Sequence, residues 1–112
     1  MTGPHAAADL AFKALSDPIR LKILDYLMTA DRSCCAVPGH VCACDIEKIA
    51  QLSQPTVSHH MKCLQQAGLV AAKKSGRWMY YSLSRAAFAE LQRYLAPFAD
   101  DTPTDGTTAR AA

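Results

Sequence analysis

Apolar residues recur at helical spacing along most of the chain and give way once, between residues 69 and 83, to two short runs bounded by turn residues. Residues 6–15 suit a first helix, with Leu10 and Ala14 on one stripe beside Ala7 and Ala11. Ser16-Asp17-Pro18 ends it and starts another, because Asp17 is a good N-cap and Pro18 is tolerated at the first helical position. Ile19, Ile23, Leu24 and Leu27 then form the apolar face of a second helix reaching about Met28. From Thr29 to Cys44 no period is sustained, and the stretch is predicted to be a loop.

Asp45 is the expected cap of a short third helix through Gln51 that buries Ile46, Ile49 and Ala50. Ser53 is the expected cap of a fourth, with Pro55 in its first turn and Gly68 as its stop, so that Leu52-Ser53 joins two helices into a helix-turn-helix. Val57, Met61 and Leu64 make the buried stripe of this fourth helix, with His60 and Ala67 at its margin, and Ser58, His59, Lys62 and Gln66 lie opposite. The two short runs, 69–74 and 78–83, predict a β-hairpin turning at Ser75-Gly76, with a basic tip and an aromatic return strand. A fifth helix over residues 84–98 carries Phe88, Leu91, Leu95 and Phe98 on one stripe.

The pattern predicts a mainly α fold with one small hairpin, a winged helix-turn-helix in the order of four helices, two strands and a last helix. At 112 residues, half of them apolar, the chain fits one domain over residues 1–99, followed by a polar tail, 100–112, expected to be disordered. The last helix and the Ala-rich first helix present Leu10, Phe88, Leu91, Leu95 and Phe98. These are expected to cover the domain itself or to pair with a second copy, and a homodimer is the favoured reading. A basic leader with a following apolar stretch is not seen, nor any run near the ~18 apolar residues of a membrane span, which places the protein in the cytoplasm and off the membrane.

A net charge of +2 is too mild to argue for nucleic acid by itself, so the placement of the cations matters. Gln54, Thr56 and Ser58 open the fourth helix, where amides and hydroxyls can read base edges and the helix N-terminus favours phosphate. His59 and Lys62 continue the same polar face. Lys73, Lys74 and Arg77 on the hairpin would neutralise phosphates beside the groove; edge-strand protection by the lysines, and plain packing by Trp78 and Tyr80, are the alternatives. Duplex DNA is the implied partner.

Five cysteines change the picture further. Four of them, Cys34, Cys35, Cys42 and Cys44, crowd into the stretch ahead of the helix-turn-helix, and the odd total opposes a complete disulfide framework. Thiolates there suit thiophilic ions, and a soft-ligand cluster beside a DNA reader suggests a switch. Arsenic(III), with antimony(III) as its analogue, needs three thiolates, which Cys42, Cys44 and one of Cys34 or Cys35 provide; cadmium would use all four, with lead and zinc as further alternatives. Residues i and i+2 point about 200° apart on a helix, so Cys42 and Cys44 share an ion only in an extended or unwound turn. His40 is taken as a solvated loop residue. Cys63 follows His59 by four residues, a metal-compatible spacing here ascribed to composition.

The order Phe12-Lys13-Ala14-Leu15-Ser16-Asp17-Pro18-Ile19-Arg20, then Cys42-Ala43-Cys44-Asp45-Ile46, Leu52-Ser53-Gln54-Pro55-Thr56-Val57-Ser58-His59-His60-Met61-Lys62 and Gly68-Leu69-Val70 resembles the ArsR/SmtB metalloregulatory repressors over roughly residues 8–98. The resemblance implies a homodimeric winged-helix repressor of a metal-resistance operon that binds an imperfect inverted repeat and leaves it when a toxic ion binds. It matches Cys42 and Cys44 to the Cys-x-Cys of the family's arsenic and cadmium/lead sensors. The third cysteine of many arsenic sensors is Glu47 here, and the N-terminal arm cysteines of the cadmium/lead sensors are absent from residues 1–33, so Cys34 and Cys35 are inferred as local replacements. No histidine follows His60, which removes the family's zinc site on the last helix.

Two other classes compete. A thiol redox or persulfide sensor would use the same DNA-binding body with a disulfide among the four clustered cysteines. A thiol-dependent arsenate reductase needs an Arg six positions after its Cys, which none of the five cysteines has, so an enzyme is not expected.

Overall fold

The computed structural model describes residues 4–30 and 41–100. Residues 31–40, with Cys34, Cys35 and His40, and residues 101–112 of the expected tail lie outside the described residues. Among the described residues, five helices and three strands run in the order α1 (Pro4–Leu15), α2 (Pro18–Ala30), β1 (Val41–Cys42), α3 (Ala43–Ala50), α4 (Gln54–Gln66), β2 (Val70–Ser75), β3 (Trp78–Leu83) and α5 (Arg85–Ala99). This is the expected winged helix-turn-helix with one strand more.

The added strand is β1, which lies within the stretch expected to be loop. Val41 pairs with Tyr81 and Cys42 with Tyr80, giving an antiparallel sheet of order β1-β3-β2. Two residues are too few to show a period in sequence. Val41 is held there by burial, at 1% exposure, against the core. Pairing also fixes Cys42 in an extended conformation, φ −70° and ψ 143°, so α3 starts immediately after it. Cys42 therefore occupies the N-cap in place of Asp45, which sits in the first turn, where its carboxylate faces the positive end of the helix dipole.

The core draws on every layer: Ala11 and Ala14 of α1, Ile23, Leu24 and Leu27 of α2, Ile46 of α3, Val57, Met61 and Leu64 of α4, then Leu69, Val70 and Tyr81. Each large side chain fully withdrawn from water contributes about 1.5–3 kcal/mol. The α2 face and the α4 stripe are as the spacing predicts. In α1 the buried face is Ala8, Ala11 and Ala14, while Leu10 is half exposed, because three small side chains let α1 lie close to its neighbours and turn Leu10 outward. In α3, Ile46 and Ala50 are buried one turn apart and Ile49 stays 41% exposed.

The helix ends are built as their residues dictate. Asp17 Oδ1 accepts from the amides of Ile19 at 2.7 Å and Arg20 at 3.4 Å, the N-cap expected of α2. Desolvation pushes the Asp17 carboxyl up, but these two amides and the charge on Arg20 outweigh it and leave it below its ordinary value. Ser53 caps α4 and Ser84 caps α5. After α4, Gly68 adopts φ +78°, and the amides of Gly68 and Leu69 donate to Gln65 and Leu64 carbonyls at 2.9 and 3.0 Å, a Schellman end. The wing turn is Gly76-Arg77, one residue beyond the expected Ser75-Gly76, since Ser75 still pairs with Trp78. Gly76, φ +63°, takes the first linking position, which a type II′ turn reserves for glycine.

Candidate DNA interface and thiol site

The helix-turn-helix is made by α3 and α4 across residues 51–53. Gln51 closes α3 in the left-handed conformation, φ 56°, with its amide donating to the Glu47 carbonyl. Ser53 Oγ accepts from the Thr56 amide at 3.4 Å and shares a 2.9 Å hydrogen bond with the Thr56 hydroxyl. Thr56 is thus engaged with the cap, whereas Gln54, Ser58, His59 and Lys62 are exposed along the face opposite Val57, Met61 and Leu64. The first turn of α4 contains no acidic residue, which leaves its N-terminal amides suited to an anion such as phosphate.

On the wing, Lys73, Lys74 and Arg77 are exposed. Arg77 lies over the Trp78 ring, 5.2 Å from its centroid. Trp78 itself is 46% exposed, and the wing aromatic that packs into the core is Tyr81. Burial raises the Tyr81 hydroxyl above its ordinary pKa. Sequence reasoning could not separate these aromatics, because strand alternation assigns faces only once the register is known.

Cys42 and Cys44, the two described residues of the predicted cysteine cluster, sit at the junction of wing and helix-turn-helix. Cys42 ends β1 and Cys44 lies in the first turn of α3, so the helix boundary falls between them. Their sulfurs are 3.0 Å apart, both half-buried. The 200° divergence of two helical residues does not arise, since Cys42 is already extended. Cys42 Sγ accepts the Cys44 thiol proton; this bond, then desolvation and the charge of Cys42, pushes the Cys44 thiol above its ordinary pKa. Two convergent thiols are a donor pair of the kind that suits a thiophilic ion. Among the described residues no set of three or more Cys, His, Asp or Glu completes it.

Cys63 on α4 is half-buried, its sulfur 3.9 Å from His59 Nε2. Of the stripe assigned to a dimer contact, Phe88 and Leu91 pack against the core of their own domain. Leu10, Leu95 and Phe98 remain exposed, and Tyr94 bridges Phe12 and Phe98 with ring centroids 6.2 and 6.0 Å apart. Sequence reasoning missed Arg20, whose guanidinium meets His60 across forty positions of chain.

An α3–α4 pair with a polar outer face on α4, followed by a basic hairpin, defines a winged helix-turn-helix DNA-binding regulator. The family model described as "Bacterial regulatory protein, arsR family" matches residues 38–72. The chain is 49% identical over 72 residues to the arsenical resistance operon repressor of Staphylococcus xylosus, covering 64% of this chain and 61% of that protein. It is 44% identical over 79 residues to the arsenical resistance operon repressor of Staphylococcus aureus, covering 70% of this chain and 67% of that one. A homodimeric winged helix-turn-helix DNA-binding domain from Mycobacterium bovis, described as a possible ArsR-family regulator, superposes with a TM-score of 0.61 at 26% identity, over 84% of this chain and 76% of that domain. The chain belongs to the ArsR family of transcriptional regulators; its relatives and fold are not those of enzymes. Among the described residues no helix is long and apolar enough to cross a membrane.

Proposed function

We propose that the chain is a metalloid-responsive repressor. As a homodimer it binds duplex operator DNA carrying an inverted repeat, and it leaves when arsenic(III), or its analogue antimony(III), is taken by the thiolates of Cys42, Cys44 and one of Cys34 or Cys35. The observation that carries this reading is the 3.0 Å approach of the Cys42 and Cys44 sulfurs directly ahead of the helix-turn-helix. The arsenical resistance repressors of two staphylococci, both at least 44% identical, support the same ion.

The chain's own residues supply the coupling. Cys42 is paired in register with Tyr80 of the wing and occupies the N-cap position of α3, while Cys44 belongs to α3 itself. Drawing both sulfurs toward an ion shared with a thiolate from the preceding segment loads the junction from which wing and α4 project. DNA affinity then falls if the DNA-bound arrangement holds the ion less well than the free one, a differential affinity between two states. On the DNA side, Gln54 and Ser58 read bases with Thr56, His59 and Lys62 beside them, and Lys73, Lys74 and Arg77 hold phosphates. Leu10, Leu95 and Phe98 offer the apolar surface for the second copy, with Phe88 and Leu91 backing it.

The test is titration of the reduced protein on its own upstream DNA with arsenite, antimonite, cadmium, lead and zinc, read by anisotropy. Release by arsenite near one ion per site, lost in Cys42→Ser and Cys44→Ser, is the expected result. Release by cadmium or lead alone would transfer the protein to the four-thiolate sensors, and release by peroxide with no response to any ion would make it a redox sensor.

A further inference from the structure

The Arg20 guanidinium meets four residues, Lys13, Ala14, Asp17 and His60, and nothing in the thiol site or the DNA face uses it. Its Nε donates to the Ala14 carbonyl at 2.7 Å, Nη2 reaches the Lys13 carbonyl at 3.4 Å, and Nη1 lies 3.1 Å from His60 Nδ1. Asp17 Oδ2 lies 3.8 Å from the same Nη1, and the Arg20 side chain is only 13% exposed. One guanidinium thus joins the last turn of α1, the first turn of α2 and the middle of α4.

His60 is the one buried polar side chain among the described residues, at 9% exposure. Guanidinium has donors and no acceptor, so Nδ1 must accept and the ring proton must sit on Nε2. The bond is charge-assisted and directional. The apolar contacts of Val57, Met61 and Leu64 are different in kind: they fix which face of α4 is buried, but hydrophobic attraction is non-directional and tolerates a small roll of the helix. With side chains a helix has a radius of roughly 5–6 Å, so a roll of about 10° carries the tip of Gln54 or Ser58 by roughly 1 Å. That displacement is large against the range of a good hydrogen bond, about 2.7–3.2 Å.

We propose that Arg20 and His60 are positioning residues for DNA recognition, setting the roll of α4 against α1 and α2 without touching DNA. This rests on the DNA-binding reading above. The experiment compares Arg20→Met, which keeps the aliphatic stem without a donor, with His60→Leu, His60→Asn and the double variant Arg20→Met/His60→Leu. Affinity for the upstream DNA is measured well below each protein's melting temperature, and the His60 tautomer is read from nitrogen-15 shifts of the DNA-free wild type.

Arg20→Met and His60→Leu are each expected to weaken binding about tenfold, about 1.4 kcal/mol, through misplacement of the base-facing side chains of α4. The double variant is expected to lose no more than Arg20→Met alone, because that change already removes the link along with the bonds to Lys13, Ala14 and Asp17. His60→Asn, whose amide oxygen replaces Nδ1 as acceptor, is expected to stay within about threefold of wild type, a rescue that general loss of packing would not give. Full affinity in the folded variants, or losses that multiply in the double variant, would overturn the proposal, as would a proton on Nδ1. If Arg20→Met does not fold, the His60 pair and the tautomer decide. Wild-type protein that binds no upstream DNA would sink the DNA-binding reading instead, while the tautomer still reports whether the link exists.

Discussion

Cys42 and Cys44 are two residues apart yet hold their sulfurs 3.0 Å from one another, because one is the extended N-cap of α3 and the other is already helical. The proton between them belongs to Cys44, whose thiol is raised above its ordinary pKa chiefly by its bond to Cys42. An ion must displace that proton. Apparent affinity for cadmium should therefore climb as pH rises through neutrality and weaken as it falls, with proton release on binding, whereas arsenous acid brings its own hydroxides, each of which leaves with a thiol proton as water, so that its binding releases no net proton. Calorimetry of cadmium binding in two buffers of different ionisation enthalpy measures the release; the same heat in both buffers would mean the pair is not the cadmium ligand.

Lys73, Lys74 and Arg77 are exposed on the wing, and under the proposed DNA contact each phosphate neutralised would release counterions. Replacing any one by Ala should weaken binding to all sequences alike and reduce the slope of log affinity against log salt by about 0.9. Gln54→Ala or Ser58→Ala should instead alter which bases are preferred, with a change of about 1–3 kcal/mol at the base concerned. Competition assays against single-base variants of the operator separate the two behaviours.

Gly68 ends α4 with φ +78°, and a Cβ built there meets nothing within 4 Å. The cost of Gly68→Ala is accordingly conformational alone, about 1–2 kcal/mol for an L-residue in the left-handed region. Urea unfolding should show the midpoint falling with the slope unchanged. Gln51, also left-handed at φ 56°, gives the converse experiment: Gln51→Gly relieves strain at some cost in unfolded-state entropy, and should stabilise the fold by roughly 0.5 kcal/mol.

Phe98 is 71% exposed, Leu10 50% and Leu95 43%, too much apolar surface on α1 and α5 to be explained by their own domain. Leu10→Ser combined with Phe98→Ser should shift the protein toward monomer in sedimentation and weaken operator binding, since a monomer reads a single half-site. Phe88→Ser should cost fold stability as well, because Phe88 packs on the core. A wild-type protein that sediments as a monomer at every concentration would refute the dimer.

The sequence by itself determined the five helices, the wing hairpin, the caps at Asp17 and Ser53, and the stop at Gly68, because each is specified by neighbours a few residues away. Hydrophobic period, N-cap chemistry and the need for a positive φ are local rules. It also marked the cysteines and the polar face of α4 by residue type alone. The tertiary structure decided what depends on distant partners. Pairing of Val41 with Tyr81 and of Cys42 with Tyr80 created β1, moved the start of α3 to Ala43 and brought the two thiols together. Close packing of Ala8, Ala11 and Ala14 turned Leu10 outward, and the strand register exposed Trp78 while burying Tyr81. The link from Arg20 to His60 spans forty residues and follows no periodicity, so it exists only once three helices are packed around one guanidinium.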